Sequence, residues 1–275
     1  VIRLVKTAAL FSLLLLYLLS SLAVVAAPLA GRTRRRFFAA TTSFFCRQGL
    51  GVLGIRAAVR GTGKEDLRRR NHLIVSNHLS YVDILIISSL APSAFITSVE
   101  LKHTFLLGLL ARFGGSLFVE RRSPAGLKRE IAEITRALKE GLTVVLFPEG
   151  TTSNGDSVRP FRNSLFTAAT ETGTDILPLC LKYTRVDGRP LGRGNRDSIF
   201  YYGGTSFFEH LPRLLSLRSV DVECTILTPI PALQRDSRKD LARTAHHAIS
   251  AVYASRNSAG EKEKGQKFYE NLRDK

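Results

Sequence analysis

A chain of 275 residues has room for one good-sized domain and a membrane segment, or for two small domains. An apolar fraction of 44% supports a packed core without metals or disulfides, and the three widely spaced cysteines, Cys46, Cys180 and Cys224, form neither a metal-ligand spacing nor a disulfide framework. The net charge of +17 excludes an indifferent surface and calls for an acidic partner, either nucleic acid or an anionic lipid surface.

In chain order the first feature is apolar. From Thr7 to Ala30 no residue is charged, and Leu10 to Leu19 is almost entirely Leu, Phe and Tyr. Such a run spans a hydrocarbon core of about 30 Å with some tilt. A secretory signal would use Arg3 and Lys6 as its basic end and Val25-Ala26-Ala27 as its cleavage site. The run is longer than a signal core, however, and Arg32, Arg34, Arg35 and Arg36 follow at once, a cluster that resists translocation. The reading is a retained anchor over residues 1–31, with the rest on the cytoplasmic side; a hairpin or an in-plane helix is the alternative. Residues 1–70 hold thirteen Lys and Arg against Glu65 and Asp66, so +11 of the +17 flanks this run. That placement fits a lipid surface and no nucleic-acid groove.

Over residues 32–50 the pairs Phe37-Phe38 and Phe44-Phe45 recur seven apart. This predicts an amphipathic helix lying in the interface, or equally a core helix of the following domain. Beyond Gly51, short β-branched runs alternate with helical stretches. Strands are expected at Val52–Val59, His72–Ser76, Ala94–Ser98, Ser116–Val119, Leu142–Phe147, Ile176–Leu181, Ser198–Tyr202 and Val220–Leu227. Helices are expected at Tyr81–Leu90, Phe105–Phe113, Ala125–Glu140, Phe161–Thr172, Ser206–Leu215 and Ser237–Ala254. Residues 51–255 therefore read as one α/β domain, a mostly parallel mixed sheet flanked by helices. Residues 256–275, rich in Lys, Glu and Gly, read as a flexible tail.

Chemistry concentrates at strand ends. After His72–Ser76 comes Asn77-His78-Leu79-Ser80-Tyr81-Val82-Asp83. An imidazole with a nearby carboxylate is a base with its orienting partner: one ring nitrogen gives its proton to the carboxylate, and the other accepts one from a hydroxyl. On a continuous helix these two side chains would diverge by about 140°, so His78 has to stand in the loop before the helix. Backbone N–H groups near Ser80 offer an oxyanion contact. A second cluster, Phe147-Pro148-Glu149-Gly150-Thr151-Thr152, ends another strand and presents N–H groups and hydroxyls to a polyol or phosphate. Between them, Gly115–Arg122 ends in Glu120, Arg121 and Arg122, guanidinium forks suited to an anion. Each cluster alone is also compatible with an ordinary turn or surface.

In this order the clusters resemble the glycerolipid acyltransferase family that includes the lysophosphatidic acid acyltransferases. The family pattern is Asn-His-x-Ser-x-x-Asp, then Gly-x-x-Phe-Ile-x-Arg, then Phe-Pro-Glu-Gly-Thr, then a strand with proline. Here these stand at Asn77–Asp83, Gly115–Arg121, Phe147–Thr151 and Ile176–Tyr183 with Pro178, so the resemblance covers roughly residues 50–230. The resemblance implies an acyltransferase domain over 51–255, with His78 as general base and Asp83 as its partner. It further implies that Asn77, Ser80, Arg121, Glu149, Gly150 and Thr151 bind substrate. It implies direct transfer of a fatty acyl group from acyl-CoA or acyl-carrier protein to the hydroxyl of 1-acylglycerol 3-phosphate, with no metal or cofactor. Membrane lipids and the thioester carrier are then the partners, and nucleic acid is not.

Two departures bear on the acceptor. Position 152 is commonly Arg where lysophosphatidic acid is used, and here it is Thr152. One charge-assisted phosphate contact, of a kind worth about 1.5–3 kcal/mol, has to come from Arg121, Arg122, Arg159, Arg162 or Lys182, or the acceptor lacks a phosphomonoester. The segment Tyr202–Leu211 resembles bacterial members, some of which acylate lyso-ornithine lipid, which makes that lipid the alternative acceptor. A basic membrane-surface protein without catalysis is the non-enzymatic alternative. The enzymatic reading requires the His78 loop and the Glu149 turn to share one cleft.

Overall fold

The computed structural model describes residues 1–98, 117–119, 124–232 and 237–254. Two long helices open it. Helix α1 (Ile2–Ala26) is long and apolar enough to cross a membrane. After residues 27–30 the chain turns back into α2 (Gly31–Leu53). Tyr17 Oη stands 3.1 Å from Thr42 Oγ1, and Lys6 Nζ donates to Leu53 O at 2.6 Å. The start of α1 thus meets the end of α2: the two helices form an antiparallel hairpin, one of the arrangements left open by the sequence.

The hairpin lies along the domain. Helix α2 packs on α4 (Val82–Leu90), burying Ala39, Ser43, Cys46, Leu50 and Leu53 while Phe37 and Phe44 stay exposed. The core reading of residues 32–50 thus describes the buried face, while Phe37 and Phe44, among the aromatics on which the interfacial reading rests, are exposed. At the hairpin's far end, Arg35 pairs with Glu140 at 3.6 Å.

The expected strand at Val52 starts later. Helix α2 runs to Leu53 and is capped by Gly54 at φ 78°, and β1 is Ile55–Arg60. Only glycine suits position 54, since a Cβ there would stand 2.2 Å from Arg218 O. The remaining strands are β2 (Leu73–Ser76), β3 (Ala94–Ser98), β4 (Leu117–Val119), β5 (Val144–Leu146), β6 (Ile176–Val186), β7 (Arg189–Pro190) and β8 (Val220–Ile226). Among the described residues they form one sheet in the order β1-β8-β6-β2-β5-β3-β4, with β7 on β6. The pairs β1–β8, β6–β2, β2–β5, β5–β3 and β3–β4 are parallel, and β8–β6 and β6–β7 are antiparallel. The expected α/β fold with a mostly parallel mixed sheet is what the chain adopts. Leu73, Ile74 and Val75 are fully buried, as a central parallel strand covered on both faces requires.

Helix α3 (Asp66–Arg69) precedes β2. Helix α5 (Pro124–Lys139) begins at its proline and buries Ile134 and Leu138. Where a helix over Phe161–Thr172 was expected, a 3-10 turn at Ser164–Phe166 leads into the short α6 (Thr167–Thr172). Arg162 N–H donates to Pro148 O at 2.9 Å, which holds residues 161–163 as a loop. Helix α7 (Phe207–Ser216) starts at a capping box of Ser206 and Glu209 and tolerates Pro212. No strand forms at Ser198–Tyr202: a 3-10 turn at Arg196–Ser198 precedes irregular chain, and Tyr201 N–H bonds Leu79 O at 3.0 Å instead of a ladder. The last helix, α8, covers residues 238–254. The helix expected at Phe105–Phe113 and the tail 256–275 lie outside the described residues.

Candidate active site

The site forms at the carboxyl ends of β2 and β5, where a parallel sheet leaves its loops open. His78 stands in the loop between β2 and α4, as its pairing with Asp83 demanded. His78 Nδ1–H donates to Asp83 Oδ2 at 2.9 Å. The same oxygen accepts Leu79 N–H at 2.7 Å and Ser80 N–H at 2.9 Å, and Oδ1 accepts the Tyr183 hydroxyl at 2.6 Å. Asp83 is fully buried. A buried carboxylate persists only with such a set of donors, and once ionised it has only acceptors, so the ring proton sits on Nδ1. Nε2 has no hydrogen-bond partner among the described residues, and the side chain keeps 15% exposure. Phe147 stacks on the imidazole with centroids 3.9 Å apart, which fixes the ring plane.

The Glu149 turn closes on the same loop. His78 N–H donates to Glu149 Oε1 at 2.8 Å, and Ser153 N–H donates to His78 O at 3.0 Å. The two clusters are thus held against each other at one end of the sheet, the adjacency that the enzymatic reading required. Glu149 Oε2 accepts Arg159 N–H at 3.2 Å. Burial raises the Glu149 carboxyl from 4.5 to about 7, an effect that the two N–H donors reduce and the nearby Asp83 charge reinforces.

The other expected substrate contacts fall into two groups. Asn77 is buried, its amide donating to Leu181 O at 2.9 Å and accepting Leu181 N–H at 2.8 Å. It ties the loop to β6 as a ladder pair would. Ser80 is also buried, and its N–H, like that of Leu79, is used on Asp83. The expected oxyanion donors at this point are therefore occupied, because the buried carboxylate needs them more. Gly150, at φ 77°, and the exposed Thr151 lie on the open side of the turn. Arg121 and Arg122 lie outside the described residues. Of the other candidate cations, Lys182 is engaged: it donates to Tyr253 O at 2.9 Å and lies over the Tyr253 ring. Arg162 is exposed and lies flat on Gly150, where a Cβ would stand 3.0 Å from its Cζ.

Sequence reasoning missed Tyr183 and a second cluster. Tyr183 is 100 residues from Asp83, and the one available signal was its place in the proline-containing strand block. Tyr81 Oη stands 3.0 Å from His210 Nδ1, with the Tyr201 and Phe207 rings edge-on to Tyr81. This brings the Tyr202–Leu211 segment beside the His78 loop.

This geometry has relatives. A lyso-ornithine lipid O-acyltransferase of Rhizobium meliloti (strain 1021) is 34% identical over 212 residues, which span 74% of this chain and 72% of that protein. A family model described as Acyltransferase matches residues 58–182. The chain belongs to the acyltransferase family. Within that family, the lyso-ornithine lipid O-acyltransferase of Pseudomonas aeruginosa is 36% identical over 66% of this chain and 67% of its own length. The 1-acyl-sn-glycerol-3-phosphate acyltransferase of Neisseria gonorrhoeae is 30% identical over 66% of this chain and 69% of its own. The crystal structure of the 1-acyl-sn-glycerophosphate acyltransferase PlsC from Thermotoga maritima superposes with a TM-score of 0.68, covering 93% of this chain and 96% of that one at 19% identity, which establishes the shared fold. Those relatives are named for lysolipid acceptors, and the long apolar α1 of this chain is a candidate membrane span.

Proposed function

We propose that the enzyme transfers a fatty acyl group from a thioester, acyl-CoA or acyl-carrier protein, to the free hydroxyl of lyso-ornithine lipid. The observation that carries the chemistry is the His78–Asp83 contact with the Glu149 turn clamped on the His78 backbone. His78 Nε2 takes the acceptor proton as the hydroxyl oxygen attacks the thioester carbonyl carbon. The C–O bond forms, the C–S bond breaks, and the leaving thiolate takes the proton back from the imidazolium. Asp83 stabilises that imidazolium and positions its ring. No acyl-enzyme is needed, and Cys46, Cys180 and Cys224 are all buried.

Two observations favour lyso-ornithine lipid over 1-acylglycerol 3-phosphate. Three of four relatives of that name reach 34–36% identity and the fourth 30%, against 30–31% for the named phosphate-acceptor enzymes. Thr152 also withdraws a cation from the turn. An ornithine headgroup carries one carboxylate beside an ammonium, so it needs fewer cations than a phosphomonoester. Arg162, over Gly150, is the cation placed to meet that carboxylate. In this reading helix α1 rests in the plane of the membrane, which is supported by the ties of the hairpin to the domain through Lys6 and Leu217 O at one end and Arg35 and Glu140 at the other. The domain itself stays on the cytoplasmic side, where acyl thioesters are made.

Parallel assays of the purified full chain test this, offering lyso-ornithine lipid and 1-acylglycerol 3-phosphate, each with acyl-CoA and acyl-carrier protein. Lyso-ornithine lipid is expected to give a kcat/KM at least about tenfold higher, roughly 1.4 kcal/mol of transition-state discrimination. The reverse order would assign the phosphate acceptor instead. Absence of transfer to either lipid would remove the reading.

A further inference from the structure

Phe208, on the first turn of α7, is 81% exposed. With Leu211, Pro212 and Leu215 it recurs at the i, i+3, i+4, i+7 spacing of one helical stripe. Leu215 is buried and Leu211 half-buried, so the stripe is covered at its carboxyl end and open at its amino end. Helix α1 packs along α7. Lys6 is buried at the junction, where Nζ donates to Leu217 O beyond the end of α7 at 2.7 Å and to Leu53 O at the end of α2 at 2.6 Å. Helix carboxyl ends carry unpaired carbonyls and partial negative charge, so one ammonium here satisfies two helices together. On the outward side of α1, Phe11, Leu15, Leu16, Leu19 and Leu22 are exposed.

We propose that the first turn of α7, through Phe208, enters the same bilayer surface as the apolar face of α1, and that Lys6 holds the two contacts in fixed register. The occupant is lipid because α7 packs against α1, the long apolar helix whose outward side is exposed. Arg213 and Arg218 are exposed at the other end of α7, where anionic headgroups would meet them. The contact reaches the active site in two steps. Phe207 packs on Tyr81 with centroids 5.3 Å apart, and Tyr201 N–H bonds Leu79 O next to His78. The His78 loop is thereby held at the level where a lysolipid resides. This inference rests on the membrane association of α1 and stands whichever lysolipid is acylated.

The chain contains no tryptophan, so Phe208→Trp creates a single fluorescent reporter on an exposed position. Full-length Phe208→Trp protein is mixed with vesicles of phosphatidylcholine and phosphatidylglycerol, with and without brominated acyl chains. Brominated lipid is expected to quench the reporter by half or more and acrylamide to lose access to it. Emission untouched by bromine on protein that sediments with the vesicles overturns the proposal. In the same reporter background, Lys6→Met is expected to sediment as before with bromine quenching at least halved, while Lys6→Arg keeps both. Undiminished quenching in Lys6→Met, or joint loss of sedimentation and quenching, overturns the registering role of Lys6.

Discussion

Between Asn77 and Asp83, polar groups are met from within the domain: Asn77 by Leu181, Asp83 by four donors, and the His78 backbone by Glu149 and Ser153. Along α1 and the outer face of α2 the reverse holds. Large apolar side chains, Phe11, Leu15, Leu19, Phe37 and Phe44, face outward, and α1 is fastened to the domain by packing and by Lys6. The first region is over-determined, and it holds at a fixed place one ring nitrogen that has no partner among the described residues. The second leaves its apolar face uncovered among the described residues, and a bilayer would supply the solvent such a face needs. Rigidity and membrane contact are thus kept apart, joined through α7 and the loop beside it.

The strongest break of this division is His78→Ala. Loss of a positioned general base costs about 10²–10⁴-fold in rate; transfer assays should show that drop while vesicle binding and the melting temperature stay near wild type. Activity within a few-fold of wild type would remove the mechanism. Asn77→Ala strikes the scaffold of the same loop. Leu181 N–H and C=O would be left buried without partners, so a destabilisation of about 2–4 kcal/mol is expected in denaturant unfolding. A change below about 0.5 kcal/mol would mean that the brace does little.

Glu149→Gln sharpens the contrast through pH. The folded carboxyl titrates near 7 and the unfolded one near 4.5. Between those values the folded chain holds a proton that the unfolded chain has released, so stability falls as pH rises through that window, by up to about 3 kcal/mol. Thermal melts from pH 4.5 to 8 should show this decline in wild type and a flatter profile in Glu149→Gln. Parallel profiles for the two proteins would contradict the burial of an ionisable group. The smallest effect expected is for Arg162→Ala, about a tenfold rise in KM for the charged lysolipid with kcat within threefold. Unchanged KM would move the headgroup contact elsewhere, and Thr152→Arg in that background should recover part of the loss if a cation on this turn is what matters.

Strands such as Leu73–Ser76 and the helix Pro124–Lys139 were legible because their signals are local, a β-branched apolar run and a 3.6-residue period closed by proline and glycine. The end of α2 was less so. Val52 and Leu53 suit a strand, and only the left-handed Gly54 packed on Arg218 O shows why the helix continues to that point. Ser198–Tyr202 has strand composition, but Ser198, Ile199 and Phe200 N–H bond back to Asn195 and Arg196 and Tyr201 N–H bonds the His78 loop, a tertiary override of propensity.

What the sequence by itself determined was which residue types stand at the ends of which strands, His78 with Asp83 and the Glu149 turn, since those spacings are short. Strand order decided the rest. With β2 between β5 and β6, the turn after β5 supplies Glu149 from 71 residues away and β6 supplies Tyr183 from 100. Lys6 reads in sequence as a flanking charge beside an apolar run. It becomes a clasp across 211 residues only because a buried ammonium has to find oxygen, and the chain brings two helix ends to it.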